Sequence, residues 1–149
     1  MKKTYFLVRV LIIYLFFISS GFAVKSNYFD KGKILFDKKE YEKSKIFFEK
    51  DIVFNPKSEK SYLYLAKIFN KNKNDKEEEM NLNNVLLLNP QNDEAIYMLA
   101  LLKIKLSDYN EAKELIKKFN LVCISFCSKK ADIQEKFAKL TPKNEKDNN

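Results

Sequence analysis

The dipeptide Asn55-Pro56 returns 34 residues later as Asn89-Pro90. A chain that repeats at such a period folds as stacked copies of one supersecondary unit rather than around one irregular core. The register extends well beyond the dipeptide. With repeats begun at Lys25, Glu59 and Asp93, one column holds Tyr28, Tyr62 and Ile96, a second Gly32, Ala66 and Ala100, and a third Phe48, Leu82 and Ile116. The second column stays small where two helices must approach closely, and the other two supply bulk to fill the space between them.

The repeating unit reads as a pair of helices. Only two Gly and three Pro interrupt 149 residues that are 46% hydrophobic and 32% charged, which argues against disorder and against turn-rich β folds. In the first unit Tyr28, Leu35 and Phe36 mark one helix. Tyr41, Ile46, Phe47, Phe48, Ile52 and Val53 mark a second, which Asn55-Pro56 stops. The second unit has Tyr62, Leu63, Leu65, Ala66 and Phe69, a polar turn over 70–74, and a helix opening at Asp75. Asp75 with Glu78 and Asp108 with Glu111 have the spacing of a capping box. Helices of roughly 12 to 15 residues joined by short turns form antiparallel hairpins.

Tyr41-Glu42-Lys43-Ser44-Lys45-Ile46-Phe47-Phe48-Glu49-Lys50, closed by Asn55-Pro56, and Asp108-Tyr109-Asn110-Glu111-Ala112-Lys113-Glu114-Leu115 resemble the tetratricopeptide repeat (TPR) family. The resemblance runs from about Lys25 to Asn120. It implies an all-α, right-handed solenoid of three repeats (25–58, 59–92 and 93–126) within a domain spanning 24–140. Three residues depart from the family pattern: Glu78 stands in a small column shared with Ser44 and Ala112, Lys103 replaces an aromatic, and Asp51 replaces a small residue. A capping role accounts for Glu78, whereas Lys103 and Asp51 suggest looser packing or a shifted frame.

Both ends of the chain carry different signals. Lys2 and Lys3 precede an apolar run from Val10 to Ile18, followed by Ser19, Ser20, Gly21, Phe22 and Ala23. This is the order of a secretory signal peptide, residues 1–23, cut after Ala23. Because Arg9 keeps the run shorter than the ~20 residues of a spanning helix, no stable membrane span is expected after cleavage. An uncleaved N-terminal anchor is the alternative. Past Asn120 the pattern breaks, and Ile133, Phe137 and Leu140 recur at helical spacing in a helix of about 128–140 that caps the last repeat. The tail 141–149 is polar and reads as disordered.

Chemistry is sparse. The chain has no His and no Trp, which excludes Ser-His and Cys-His nucleophiles and a His-built zinc site. Glu77-Glu78-Glu79 belongs in the first turn of a helix, where negative charge is favoured by the macrodipole. Cys123 and Cys127 are spaced C-x3-C, without the C-x-x-C of redox catalysts or the His of a haem attachment motif. In an exported chain a structural disulfide is expected, with two buried thiols or a redox or metal role as alternatives. Removing residues 1–23 takes away Lys2, Lys3, Arg9 and no acid, lowering the formal charge from +8 to +5. The remaining bases are all Lys, interspersed with acids, so nucleic acid is not an expected partner.

The family resemblance places the first helix of each repeat along a groove. Phe29, Lys33, Phe36 and Asp37 come from repeat one, Leu63, Lys67, Asn70 and Lys71 from repeat two, and Tyr97, Leu101, Ile104 and Lys105 from repeat three. The set describes an apolar strip with a lysine edge, suited to a peptide or partner protein bearing bulky side chains and some negative charge. Phe29 and Lys33 occupy sites where the family's carboxylate clamp pairs Lys with Asn, which disfavours a receptor for chaperone tails. The expected function is thus a non-enzymatic, cofactor-free periplasmic adaptor for an envelope or secreted protein. A redox-assisting protein using Cys123 and Cys127 and a self-associating structural module are the competing readings.

Overall fold

The computed structural model describes residues 27–140, so the expectations for 1–23 and for the tail 141–149 lie outside the described residues. Within it three helical hairpins follow one another: α1 (Tyr28–Asp37) with α2 (Tyr41–Phe54), α3 (Glu59–Lys71) with α4 (Asp75–Leu88), and α5 (Asp93–Lys105) with α6 (Tyr109–Val122). A single 3-10 turn, Cys127–Lys129, leads into α7 (Lys130–Leu140). The described residues contain no strand, and the architecture is an all-α solenoid.

Each hairpin closes on the column contacts read from the sequence. Phe48 and Leu82 are fully buried and Ile116 nearly so, while Ala66 and Ala100 are wholly inaccessible. A Cβ added to Gly32 would stand 2.8 Å from Cε1 of Phe48. The Phe48 ring is wedged by Phe29 and Tyr64, at centroid distances of 5.8 and 5.0 Å, so it has nowhere to retreat. Ser44 Oγ then donates to the Gly32 carbonyl at 2.8 Å, tying the two helices at their closest approach.

All three hairpin turns are built alike. Lys39, Lys73 and Ser107 adopt φ of 62°, 55° and 62°, in the left-handed region. The following amides of Glu40, Asn74 and Asp108 donate back to the carbonyls of Leu35, Phe69 and Lys103 at 2.9, 3.0 and 2.9 Å. This 6→1 bond is the Schellman motif, which satisfies carbonyls left open at a helix end. The same turn recurs every 34 residues without any glycine in it.

Two local expectations are corrected. Asp75 is the first residue of α4 and not its cap: Asn74 takes that place, its side chain accepting from the Glu77 amide at 3.3 Å. Asp108 does cap α6, but the Glu111 carboxylate turns away to Lys103 at 2.7 Å and completes no capping box. Nor do Lys103 and Asp51 loosen the packing. Lys103, 8% exposed, is held by Glu79 and Glu111 at 2.7 Å each. Burial pulls its pKa down, and the hydrogen bonds it donates to Glu111 and Glu79 outweigh that and hold it above the usual lysine range. Asp51 is buried and accepts from the hydroxyls of Ser58 and Ser61 at 2.5 Å each. Both departures from the apolar pattern are buried polar groups with partners, the condition under which burial is tolerated.

Between repeats, an acid at the start of a first helix holds the turn that follows its own hairpin. Glu59 Oε1 accepts from the side chains of Asn89 and Asn92. Asp93, its equivalent one repeat on, accepts the backbone amides of Ile124, Ser125 and Phe126 at 2.7, 2.6 and 2.9 Å. Burial pushes the Asp93 carboxyl up, but the three amides, led by Phe126, more than offset it and hold the group below its usual range. Flanking that turn, the Cys123 and Cys127 sulfurs stand at disulfide distance, 2.16 Å. In α7, Ile133 is fully buried against α5 and α6 and Phe137 packs beside it. Leu140, read as part of the same seal, is instead 56% exposed, on the wall of an open hollow that it shares with Leu101, Ile104 and Tyr109.

Candidate binding groove

A groove of about 470 Å³ runs across the three hairpins, lined by Phe36 of α1, Lys67, Asn70 and Lys71 of α3, Glu78 of α4, Glu94, Tyr97, Met98 and Leu101 of α5, and Phe126 of the turn before α7. Residues from three successive repeats meet there because the first helix of each hairpin repeats its facing at every 34-residue step.

Six of the residues assigned from the sequence converge on it: Phe36, Lys67, Asn70, Lys71, Tyr97 and Leu101. The other six are placed elsewhere. Phe29 packs inside the first hairpin against Phe48 and Tyr64. Leu63 and Ile104 are buried in core clusters. Lys33 lies exposed in an ion pair with Asp37 at 2.9 Å, and Lys105 pairs with Asp75. Sequence reasoning missed Glu78, Glu94, Met98 and Phe126. Met98 and Glu94 were within reach, since they lie on α5 beside residues already assigned. Glu78 and Phe126 belong to neighbouring elements and enter only through tertiary packing.

The charge in the groove is largely compensated. Lys67 Nζ bridges α3 to α5 through Glu94 at 2.8 Å and lies 4.9 Å from the Tyr64 ring centroid. Asn70 Nδ2 donates to both Glu78 oxygens, at 2.9 and 3.0 Å. Burial pushes the Glu78 carboxyl above the usual range, partly opposed by the Asn70 hydrogen bond. Lys71 has no ion pair among the described residues and sits 4.9 Å from the Tyr41 ring centroid, a cation–π arrangement. Tyr97 shows only its edge, because its hydroxyl donates to Asp132 of α7 at 2.6 Å. Burial and that carboxylate push its pKa up to about 12, so it acts only as a neutral donor at ordinary pH. The arrangement offers half-buried apolar side chains, one uncompensated lysine and an amide. No metal-binding cluster of His, Cys, Asp and Glu occurs among the described residues.

A family model for the tetratricopeptide repeat matches residues 26–52 and 93–119, the first and third hairpins. Among solved structures, the chain is similar to the first TPR of Spaghetti (RPAP3) bound to HSP90 peptide SRMEEVD, with a TM-score of 0.65 and 18% identity, covering 79% of this chain and 99% of that one. At that identity the likeness speaks to the fold alone. No curated protein matches this chain. The 34-residue register and the three hairpins agree with these two likenesses on a solenoid of the TPR kind.

Proposed function

We propose that the chain is a non-enzymatic TPR scaffold that takes a peptide segment of a partner protein in the groove of Phe36, Lys71, Met98, Leu101 and Phe126. The observation that carries this is the groove itself: Phe36 of the first hairpin, Met98 and Leu101 of the third and Phe126 of the turn before α7 remain half-exposed in one depression, with Lys71 of the second hairpin among them. The similar solved domain is described as bound to a peptide, which supports a peptide-sized occupant. With Lys67 neutralised by Glu94, the ligand chemistry is chiefly apolar with at most one acidic contact, to Lys71.

The test is selection of binders from a displayed random-peptide library on the full chain, followed by titration against variants. Leu101→Glu and Phe36→Glu are expected to weaken the selected peptides by tenfold or more, about 1.4 kcal/mol, with helicity unchanged. Leu87→Glu, outside the groove, should bind as wild type. Equal affinity for all three would overturn the groove reading. By contrast, Phe48→Glu and Leu82→Glu, both fully buried, should unfold the chain.

The compartment of this reading is the periplasm, with residues 1–23 directing export, and the partner is an envelope or secreted protein. It is supported by the basic start, the apolar run and Gly21-Phe22-Ala23. Intact mass of protein isolated from the cell envelope is expected to begin at Val24. A mass retaining Met1 would replace the cleaved signal with the anchor.

A further inference from the structure

The second repeat departs from its neighbours at two positions that touch each other. Where the first and third hairpins have Phe36 and Ile104, α3 has Asn70; where they have Ser44 and Ala112, α4 has Glu78. Asn70 Nδ2 donates to both Glu78 oxygens, at 2.9 and 3.0 Å. The other two hairpins close without such a pair, so helix packing does not require it. The pair also carries a cost. A carboxylate only 1% exposed has given up its water, and among the described residues its hydrogen bonds come from one neutral amide. Both residues lie in the wall of the groove, which points to the surface the pair presents there.

That surface follows from the chemistry of the two groups. An ionised carboxylate only accepts hydrogen bonds, whereas a side-chain amide donates through its nitrogen and accepts through its oxygen. Glu78 therefore dictates which way round Asn70 stands: the nitrogen faces the carboxylate, and the oxygen, on the other arm of the planar amide, faces away from it. Asn70 is exposed where Glu78 is buried, and nothing among the described residues donates to Asn70 Oδ1. Lys71, the next residue, lines the same hollow with an ammonium group that has no ion pair among the described residues. An acceptor from Asn70 and a donor from Lys71 are the complement of the N–H and C=O of a peptide group. The ionisable residues of the wall balance, Lys67 and Lys71 against Glu78 and Glu94, so net charge selects no ionic ligand. A chain-terminal carboxylate would satisfy Lys71 but would set acceptor against acceptor at Asn70.

We propose that Glu78 is a positioning residue that holds the Asn70 amide with Oδ1 turned into the groove, where it accepts a main-chain N–H from an internal, extended segment of the partner. This rests on the groove being the binding site, and it adds which part of a partner is taken. Main-chain groups meet Asn70 and Lys71, side chains meet Phe36, Met98, Leu101 and Phe126, and the segment is not a C-terminus.

Two displayed random-peptide libraries are selected on the full chain, one with the random segment flanked on both sides and one ending in a free C-terminus. Binders are expected from the flanked library, and cutting the flank to leave a free carboxylate should not tighten them. In a synthetic binder each amide is then replaced in turn by an ester, which removes one N–H. One replacement is expected to weaken binding to the wild-type chain by about tenfold. That penalty should fall to about twofold or less with Asn70→Ala, which has no acceptor there, and with Glu78→Gln, which no longer fixes which end of the Asn70 amide faces out. Glu78→Gln should still bind the parent peptide within about threefold of wild type, because the side chain keeps its size. An equal penalty in all three chains would overturn the proposal, and if Leu101→Glu still weakens the same peptides the groove reading stands. Weaker binding of every peptide to Glu78→Gln with the penalty unchanged would overturn it too, leaving Glu78 a purely structural residue. Binders from the free-terminus library alone would overturn it as well. No binder from either library, or none sensitive to Leu101→Glu, would overturn the groove reading and this proposal together.

Discussion

Glu78 occupies a column whose other members, Ser44 and Ala112, are small, yet it is only 1% exposed and its carboxylate is gripped by Asn70. Burial raises its pKa most, Asp75 adds to the rise, and Asn70 and Lys105 oppose it. A carboxyl held above its unfolded value favours folding while protonated, and that contribution is lost as pH rises through the folded value. Glu78→Gln removes the titration and leaves an amide oxygen for Asn70 to bond. The melting temperature of the variant is therefore expected to gain on wild type as pH rises from about 4 to 7, since the other carboxyls are common to both chains. Thermal melts across that range check it, and a difference that stays constant with pH would show that Glu78 ionises without cost.

Among elements, the hairpin turns show how one local motif is stamped three times. The Schellman geometry needs a residue in the left-handed region, and Lys39, Lys73 and Ser107 supply it despite their Cβ atoms. That conformation costs an L-residue roughly 1–2 kcal/mol, whereas glycine adopts it freely and loses roughly 0.5–1 kcal/mol through its larger unfolded-state entropy. The first effect exceeds the second. Lys39→Gly, Lys73→Gly and Ser107→Gly are each expected to stabilise the chain by about 0.5 kcal/mol. Because Lys39, Lys73 and Ser107 take no part in the bonds that join neighbouring turns, Asn72 to Glu42 and Lys105 to Asp75, the gains should add in the triple variant, as read by denaturant melts. A loss at any of the three would mean that its side chain contributes more than its backbone conformation costs.

At the scale of the molecule, a solenoid is held by neighbour-to-neighbour contacts, so its ends are its weak points. The last face is closed by one fully buried side chain, Ile133, packed on Ile96, Ala100, Ile116 and Phe119. Ile133→Ala is expected to cost about 2–4 kcal/mol, by lost transfer energy and the cavity left behind. The cost should be local: amide exchange should accelerate in α6 and α7 while α3 and α4 keep their protection. Acceleration throughout would instead show that the stack unfolds as one cooperative unit.

The sequence by itself determined the helical hairpin, its period and its packing columns. These rest on spacing, and a 34-residue register places Gly32 against Phe48 wherever the hairpin goes. Six of the ten groove residues were legible for the same reason: Phe36, Lys67, Asn70, Lys71, Tyr97 and Leu101 follow from the facing of the first helices. Phe29, Leu63 and Ile104 share that facing, but neighbouring helices cover them, and burial by a neighbour leaves no mark on the spacing of the residue it hides. Only the tertiary structure decided where the polar residues went. Lys67 reads as a free cation until α5 brings Glu94 to it, and Lys103 and Asp51 read as defects until their partners arrive from α4 and α6 and from the 58–61 turn. A charge is paired or unpaired according to groups far along the chain, and that distance closes only when the hairpins stack.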